Sequence, residues 1–208
     1  MRMIIRYGLV LALAIAAAGF ASAQTGTLKC VGLCSETSMG HVSYRLPGGT
    51  WKVIALGETI PARAEIRVDV SFDWIELRPS NSIDKVYEID GPDSGAVIKT
   101  VAEILKSKPR IVEFPKGSKS HPDPRFMNKL VVTEYLGRQV FMTSDGDTRD
   151  IRYGDVLDGA GSVNIIGINC PLTLQKADGA VTTIIGPLNF PVMKVLKNEK
   201  LYKYLNVQ

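Results

Sequence analysis

Apolar and polar residues alternate in two separate stretches of the chain, and both stretches predict short β-strands. In the first stretch, apolar residues recur at every second position within each run, at Ile66, Val68, Val70, Ile75 and Leu77. The same spacing returns in the second stretch at Val163, Ile165, Leu172 and Leu174. Successive side chains of a strand point to opposite faces, so this period of two predicts one face in a core and one in water.

The two stretches are copies of one pattern. Gly57 matches Gly154 and Glu58 matches Asp155 at an offset of 97 residues. Five apolar pairs keep that offset: Ile60/Leu157, Ile66/Val163, Val68/Ile165, Ile75/Leu172 and Leu77/Leu174. Farther along, an offset of 95 places Gly91-Pro92 on Gly186-Pro187 and Val97, Ile98 and Lys99 on Val192, Met193 and Lys194. A repeat at a fixed spacing indicates related structural units, so we predict a mainly β fold of two tandem lobes, sandwich-like or solenoid-like.

The pattern after each Gly-Pro changes towards helical spacing. Residues 93–108 predict a short helix after the first lobe, with Asp93 or Ser94 as N-cap and Pro109 beyond its end. The corresponding residues 188–205 fit either a helix or a strand. Residues 107–128 contain four prolines and several lysines and serines, which indicates a linker or long loop. The predicted organisation is lobe 1 at 24–106, the linker at 107–128 and lobe 2 at 129–208.

Residues 1–23 predict a secretory signal peptide. Arg2 and Arg6 precede an apolar run at residues 7–20, and Ala21-Ser22-Ala23 has the pattern of a cleavage site. The run is shorter than the roughly 18 residues of a spanning helix, although an uncleaved N-terminal anchor is the alternative. We therefore expect a periplasmic or secreted protein with no stable membrane span after cleavage.

The composition of the mature chain argues against nucleic-acid binding. Removal of residues 1–23 leaves 185 residues, enough for one large core or two small ones. It also removes two arginines and no acid, so the formal charge falls from +4 to +2. A nucleic-acid-binding protein should carry a concentrated basic surface, which this nearly neutral chain does not suggest.

Three cysteines remain after cleavage: Cys30, Cys34 and Cys170. An oxidising compartment favours one disulfide among them and leaves an odd thiol. We prefer Cys30–Cys34, because the intervening residues can turn at Gly32, and Cys34–Cys170 is the alternative. On a straight strand, Cys30 and Cys34 would lie about 13 Å apart, so the preferred pairing requires the chain to bend.

A family resemblance covers parts of both copies. The run "WKVIALGETIPARAEIRVDVSFDWIELRP" followed by "YEIDGP", and the run "IRYGDVLDGAGSVNIIGINCPLTLQKADGAVTTIIGP", resemble the periplasmic domain of the FecR-like family. That family is named for a regulator of iron-dicitrate uptake. The resemblance implies an exported β-rich domain that senses or contacts partners, without enzymatic activity or cofactor. Its regulators have a cytoplasmic segment and a membrane helix, whereas this chain begins with a signal sequence, so a free binding or scaffold protein is expected.

Residues that could support catalysis have simpler structural interpretations. Ser94 follows Asp93 as in a serine-protease motif, but helix capping explains the pair better. A cysteine hydrolase would combine Cys34 or Cys170 with His41 or His121, and neither cysteine lies in a recognisable catalytic motif. We therefore predict that the protein is not an enzyme, with a hydrolase as the third-ranked function.

No metal or other cofactor is predicted. The acidic run at residues 145–150 could hold calcium, but Arg149 stands where a third ligand should be, so a hairpin turn is preferred. A zinc site would need a fourth ligand besides the three cysteines, with two histidines available.

Four lysines recur at every third position near the C-terminus: Lys194, Lys197, Lys200 and Lys203, with Tyr202 and Tyr204 interleaved. On a helix they would form a basic stripe that could contact an acidic partner, although a solvated face is the simpler interpretation. We take these six residues as candidate partner contacts. The leading functional hypothesis is a non-enzymatic exported interaction module that binds a protein partner or an envelope polymer. The alternative is a self-assembling structural protein of the cell envelope or surface, a homo-oligomer in which the lobes make head-to-tail contacts.

Overall fold

The computed structural model describes residues 26–35 and 41–201. The predicted signal peptide lies outside these ranges, as do Tyr202, Lys203 and Tyr204. The first-half strands are β1 (Leu28–Cys34), β2 (Val42–Arg45), β3 (Lys52–Val53), β4 (Thr59–Ile60), β5 (Glu65–Val68), β6 (Trp74–Pro79), β7 (Lys85–Asp90), β8 (Val97–Thr100) and β9 (Arg110–Ile111). The second-half strands are β10 (Lys129–Leu136), β11 (Gln139–Met142), β12 (Thr148–Asp150), β13 (Val156–Asp158), β14 (Ser162–Ile165), β15 (Pro171–Gln175), β16 (Val181–Ile185) and β17 (Leu188–Pro191). Two helices, α1 (Val101–Lys106) and α2 (Val192–Leu196), and a 3-10 helix (Pro124–Phe126) complete the elements, and the mainly β prediction is confirmed.

One long sheet runs through both lobes. Its strand order is β16-β15-β10-β1-β6-β7-β9, with β13 and β4 as further partners of β10 and β1. β1 and β10 pair in parallel, with Gly32 opposite Tyr135 and Leu33 opposite Leu136. A four-stranded sheet completes each lobe, β3-β2-β5-β8 in the first and β12-β11-β14-β17 in the second. The arrangement is therefore two sandwiches that share one sheet.

The shared sheet separates two hydrophobic cores, and β1 contributes to both. Leu28, Cys30 and Leu33 pack in the core of the first lobe. Val31 and Cys34 pack in the core of the second. A strand covered on both faces needs apolar residues at nearly every position, and Lys29 alone among the residues of β1 is not fully buried.

The repeat at an offset of 97 recurs as matching hydrogen bonds. Gly57 N donates to Cys30 O at 2.9 Å, and Gly154 N donates to Val132 O at 2.8 Å. Both glycines have a left-handed backbone conformation, with φ values of +81° for Gly57 and +77° for Gly154. In each copy the following acid stabilises the turn, because its carboxylate accepts the backbone N–H three residues earlier, at 3.0 Å for Glu58 and 2.9 Å for Asp155. The repeated glycine and acid therefore build the same turn twice.

The predicted offset of 95 is wrong beyond the Gly-Pro pairs. Val97–Thr100 form β8 on β5, and Leu188–Pro191 form β17 on β14. Each strand leads directly into its helix, so Val97 corresponds to Leu188 at an offset of 91. The helix predicted over residues 93–108 is therefore shorter in the structure, where it spans only Val101–Lys106 because β8 occupies Val97–Thr100.

The N-cap of α1 is Thr100, and the predicted caps Asp93 and Ser94 lie before the strand. Thr100 Oγ1 accepts from Glu103 N at 3.1 Å, while the Glu103 carboxylate accepts from Thr100 N at 2.8 Å. This reciprocal pair is the capping box, and the β-branched residues that precede it favour a strand.

Residues 107–128 form part of the folded body. Arg110–Ile111 pair with β7 as β9, and Val112, Phe114 and Phe126 are buried in the second core. This segment, predicted as a linker, thus connects the lobes through packed side chains.

The preferred Cys30–Cys34 disulfide is not formed. Both residues lie in extended β1, Cys30 opposite Leu77 and Cys34 opposite Trp74. A bulge between Cys30 and Gly32 shifts the alternation, so these two side chains enter different cores. All three cysteines are among the described residues, and no disulfide joins any of them.

Candidate functional site

An apolar pocket of about 430 Å³ lies between the two lobes, and we call it the inter-lobe pocket. Lobe 1 contributes Val53 and Leu56, and lobe 2 contributes Leu136, Ile168 and Cys170. Within residues 26–35 and 41–201, the polar side chains of its lining are those of Ser35 and His41. A concave, mainly aliphatic surface with few polar groups suits an apolar part of a ligand.

The parallel contact of β1 and β10 places the two lobes side by side at this pocket. Gly137 N donates to Leu33 O at 2.8 Å, which extends the pairing one residue past the end of β10. Leu33, Leu136 and Gly137 all line the pocket. The pocket is therefore a consequence of the strand pairing that joins the lobes.

The rim of the inter-lobe pocket is exposed and aliphatic. Ile168, in the loop between β14 and β15, is 78% exposed, and Val53 of β3 is 59% exposed. Ile166 lies in the same loop as Ile168 but outside the pocket lining, and it is 52% exposed. Large aliphatic side chains gathered at a pocket mark an interaction surface better than isolated ones do.

Sequence reasoning did not identify these rim residues. The available signal was the pair Ile166 and Ile168, which stand two apart in a segment that also contains turn-forming Gly167 and Asn169. Aliphatic residues in a turn are exposed unless another element covers them.

Two of the candidate hydrolase residues, His41 and Cys170, line the inter-lobe pocket. His41 Nδ1 lies 3.2 Å from Oδ2 of buried Asp73. Cys170 Sγ donates to Ile168 O at 3.6 Å. Burial raises the pKa of the Cys170 thiol, which lowers the fraction of reactive thiolate at neutral pH. Cys34 is buried in the second core.

The other catalytic candidates lie outside this pocket. Ser94 is exposed in the segment before β8, and His121 is exposed between β9 and β10. The structure thus brings together one histidine and one cysteine of the predicted set.

The acidic run lies in the β11–β12 hairpin, as predicted, with residues 145–147 in the turn and Thr148–Asp150 in β12. Thr143 N donates to Asp147 O at 2.9 Å, and the Arg149 guanidinium pairs with Asp155. No three His, Cys, Asp or Glu side chains within the described ranges are grouped to hold a metal ion. No helix in these ranges has the length and apolar character needed to cross a membrane.

The predicted lysine stripe does not form along a helix. Lys194 lies in α2, Lys197 is its C-cap residue and Lys200 follows the helix. Asn198 has a φ of +57°, a left-handed conformation that terminates the helix.

Lys176 fixes this C-terminal end of α2. Its Nζ donates to Leu196 O at 3.3 Å and to Asn198 Oδ1 at 2.5 Å. Its interaction with the helix end was not predicted from the sequence.

A buried polar network joins the lobes at Glu76. Alternation along β6 predicted that this side chain would face water, but it is 0% exposed because the second lobe covers it. Tyr135 Oη donates to Glu76 Oε2 at 2.7 Å, Tyr153 N donates to the same oxygen at 2.8 Å, and Arg110 Nη2 donates to Oε1 at 2.5 Å. Trp74 Nε1 donates to Tyr135 Oη at 2.6 Å.

Burial dominates the electrostatics of this network. It raises the pKa of Glu76, because the charged carboxylate loses hydration, even though its three hydrogen bonds and Arg110 act in the opposite direction. Burial also raises the pKa of Tyr135, with Glu76 adding to the effect, and raises the pKa of Tyr153 to about 12. These groups are enclosed between the lobes, which indicates that the network serves to hold the two lobes together.

No family model, curated protein or solved structure matches this chain. The resemblance to the FecR-like family therefore stays a prediction from short motifs.

Proposed function

We propose that the protein is a non-enzymatic interaction module that binds an apolar side chain of a protein partner in the inter-lobe pocket. The observation that carries the proposal is an apolar pocket whose rim presents two aliphatic side chains, Ile168 and Val53, that are more than half exposed. Burial of such side chains against a partner removes apolar surface from water and favours association.

The lining of the pocket favours a protein partner over an envelope polymer. A carbohydrate chain presents hydroxyl groups that lose water unless they find hydrogen-bond partners. Among the described residues of the lining, the polar side chains are Ser35 and His41, and His41 is already paired with Asp73. An aliphatic or aromatic side chain of a protein matches this surface better.

The predicted export supplies the cellular setting. If residues 1–23 direct secretion, the partner is a protein of the periplasm, the cell surface or the medium. This setting agrees with the expectation drawn from the FecR-like resemblance, in which an exported β-rich domain contacts other proteins.

Site-specific photo-crosslinking in the expressing cells tests the proposal. A photoreactive residue at Ile168 should yield one main adduct with a mass that differs from two copies of this chain. The same residue at Met127 should not yield that adduct. Met127 is 53% exposed and lies two residues before the start of β10, at the opposite end of the strand from Leu136 of the pocket.

A pocket-filling variant makes the test specific to the cavity. Ala55 is exposed and lines the pocket, so Ala55→Phe should fill it and abolish the Ile168 adduct. Ala160→Phe, at an exposed alanine outside the pocket, is the matched control and should retain the adduct. An adduct that survives Ala55→Phe, or no adduct at Ile168, would overturn the proposal.

A further inference from the structure

The outer edge of β16 is unusually unprotected. In the part of the chain that the structure describes, six strands end the ordered paths of the three sheets. Five of them carry a charged residue or a proline: Arg110 in β9, Lys52 in β3, Lys99 in β8, Arg149 in β12 and Pro191 in β17. β16 consists of Val-Thr-Thr-Ile-Ile and has neither. Charges and prolines on edge strands are the usual protection against pairing with another chain, so β16 is open to such pairing.

The ladder with β15 determines which backbone groups of β16 point outwards. Lys176 N donates to Ala180 O at 2.8 Å, and Gly186 N donates to Cys170 O at 3.0 Å. Even-numbered residues of β16 therefore bond towards β15. In an antiparallel ladder the alternate residues point the other way, so Val181, Thr183 and Ile185 present N–H and C=O groups at the outer edge.

The equivalent edge of the first lobe is covered by the chain itself. β7 occupies the position of β16 in the repeat, and β9 pairs with its outer edge, with Lys85 opposite Ile111 and Val86 opposite Arg110. No strand of the described chain takes that place on β16. The second lobe thus lacks a partner that the first lobe has.

The sequence of the open edge is complementary to itself. An antiparallel pair of two β16 strands centred on Thr183 sets Thr183 opposite its copy and Val181 opposite the copy's Ile185. Threonine pairs and pairs of β-branched residues stabilise neighbouring strands, and no like charges meet. Val181 and Ile185 are 59% and 51% exposed, so both have surface to bury.

We propose that two copies of this chain associate through antiparallel pairing of their β16 edges about a twofold axis at Thr183. The pairing continues the long sheet from one copy into the other. It is an isologous contact, because each copy contributes the same strand.

A groove beside β16 accommodates the added strand. Its volume is about 610 Å³, and its aliphatic lining comprises Ile184, Ile185, Leu188, Val195 and Leu201. Because the axis is perpendicular to the sheet, even-numbered residues of the second copy lie on the face that bears Ile184. The copy's Thr182 and Ile184 are therefore placed over the groove.

The contact is small, so the dimer should be weak. One five-residue strand and the groove beside it bury less than the roughly 800 Å² per partner of a stable complex. Association should consequently depend on concentration.

Light scattering after size-exclusion chromatography over a wide concentration range tests the pairing, with reductant present to prevent bridging through Cys170. The mass of the chain without residues 1–23 should rise from one copy to two. Val181→Lys with Ile185→Lys should abolish the rise, because each introduced lysine faces another across the axis. Val181→Lys with Ile185→Glu should retain it, because opposite charges then face each other. Ile98→Lys, on the β8 edge, is the control and should leave the dimer unchanged.

Disulfide trapping tests the position of the axis. In a Cys170→Ser background, Thr183→Cys should form a covalent dimer under mild oxidation, because symmetry places the two cysteines opposite each other. Val181→Cys should not, because its two copies stand about 13 Å apart along the strands.

Four outcomes would overturn the proposal: a constant monomer mass, a dimer that survives the double lysine variant, a dimer that the lysine–glutamate variant loses, or no covalent dimer from Thr183→Cys. The inter-lobe pocket and the β16 groove share no lining residue, so either proposal can fail without the other.

Discussion

Tyr135 Oη donates a 2.7 Å hydrogen bond to Glu76 Oε2, and this contact links β10 of the second lobe to β6 of the first. The two residues are 59 positions apart and both are 0% exposed. Gly32 permits the contact, because a Cβ at that position would lie 2.4 Å from the Tyr135 ring. The lobes are therefore joined by a directional polar contact as well as by the shared sheet.

The buried carboxyl predicts an unusual dependence of stability on pH. Burial raises the pKa of Glu76 above its ordinary value of 4.5 in the folded state. At a pH between the unfolded-state pKa and the folded-state pKa, the unfolded chain has released the proton while the folded chain still holds it, so rising pH favours unfolding. The contribution of Glu76 to the free energy of unfolding should be fully present below pH 4.5 and be lost as pH rises through its folded-state pKa. Its size is about 1.4 kcal/mol for each unit by which the folded-state pKa exceeds the unfolded-state pKa.

Urea unfolding of the wild type and Glu76→Gln across a pH series measures this effect, because other titrating groups are common to both proteins. The free energy of unfolding of the wild type should fall relative to the variant as pH rises. A relative gain with rising pH would show instead that Arg110, whose side chain is 38% exposed, holds the carboxylate ionised.

Tyr135→Phe should destabilise the protein more than loss of a part-buried hydroxyl would. The substitution removes the acceptor of the Trp74 Nε1–H and one donor to Glu76. An unsatisfied buried polar group costs about 1–3 kcal/mol, so we expect a loss in that range. Tyr44→Phe, which removes a hydroxyl bonded to Glu58 at a part-buried position, is the control. Equal losses in both variants would contradict a special role for the inter-lobe network.

Local patterns in the sequence predicted what local physics determines. The alternation identified β-strands, and the offset of 97 corresponded to matching turns at Gly57 and Gly154 because each turn depends on neighbouring residues. Contacts between distant segments could not be predicted in this way. Glu76 was expected in water because the tyrosines that cover it lie 59 and 77 positions away.

The inter-lobe pocket was hidden for the same reason. Its walls include Leu33, Val53, Leu136 and Ile168, which come together only through the parallel pairing of β1 and β10. One bulged residue next to Cys30 also changed the face of Cys34, and one sequence contains no pattern that reveals such a bulge.

The repeated glycines should differ in their tolerance of alanine. At Gly57 an added Cβ meets nothing closer than 4.0 Å, so Gly57→Ala should cost only the left-handed backbone strain, about 1–2 kcal/mol. At Gly154 the Cβ would lie 2.4 Å from Val112 Cγ1, so Gly154→Ala should lose a further 1–3 kcal/mol or so through overpacking.

A double-mutant cycle isolates this second contribution. Val112→Gly removes both Cγ1 and the Cβ that would lie 2.5 Å away. It should recover part of the loss in Gly154→Ala and none of the loss in Gly57→Ala, as measured by urea unfolding. Equal losses at the two glycines, or no coupling with Val112, would show that the neighbouring backbone moves to make room.

The three cysteines should react at very different rates in the folded protein. Burial, reinforced by nearby carboxylates such as that of Glu134, raises the pKa of Cys30 to about 12, and Cys34 is 1% exposed. Cys170 is half-buried, so it is the thiol that an alkylating reagent should reach first, faster at higher pH because the thiolate is the nucleophile. Mass spectrometry of alkylated peptides should find one modified cysteine in the native chain and three in denaturant. Failure of Cys30 and Cys34 to react in denaturant without reductant would reveal a disulfide between them, which would require β1 to bend where the structure has it extended.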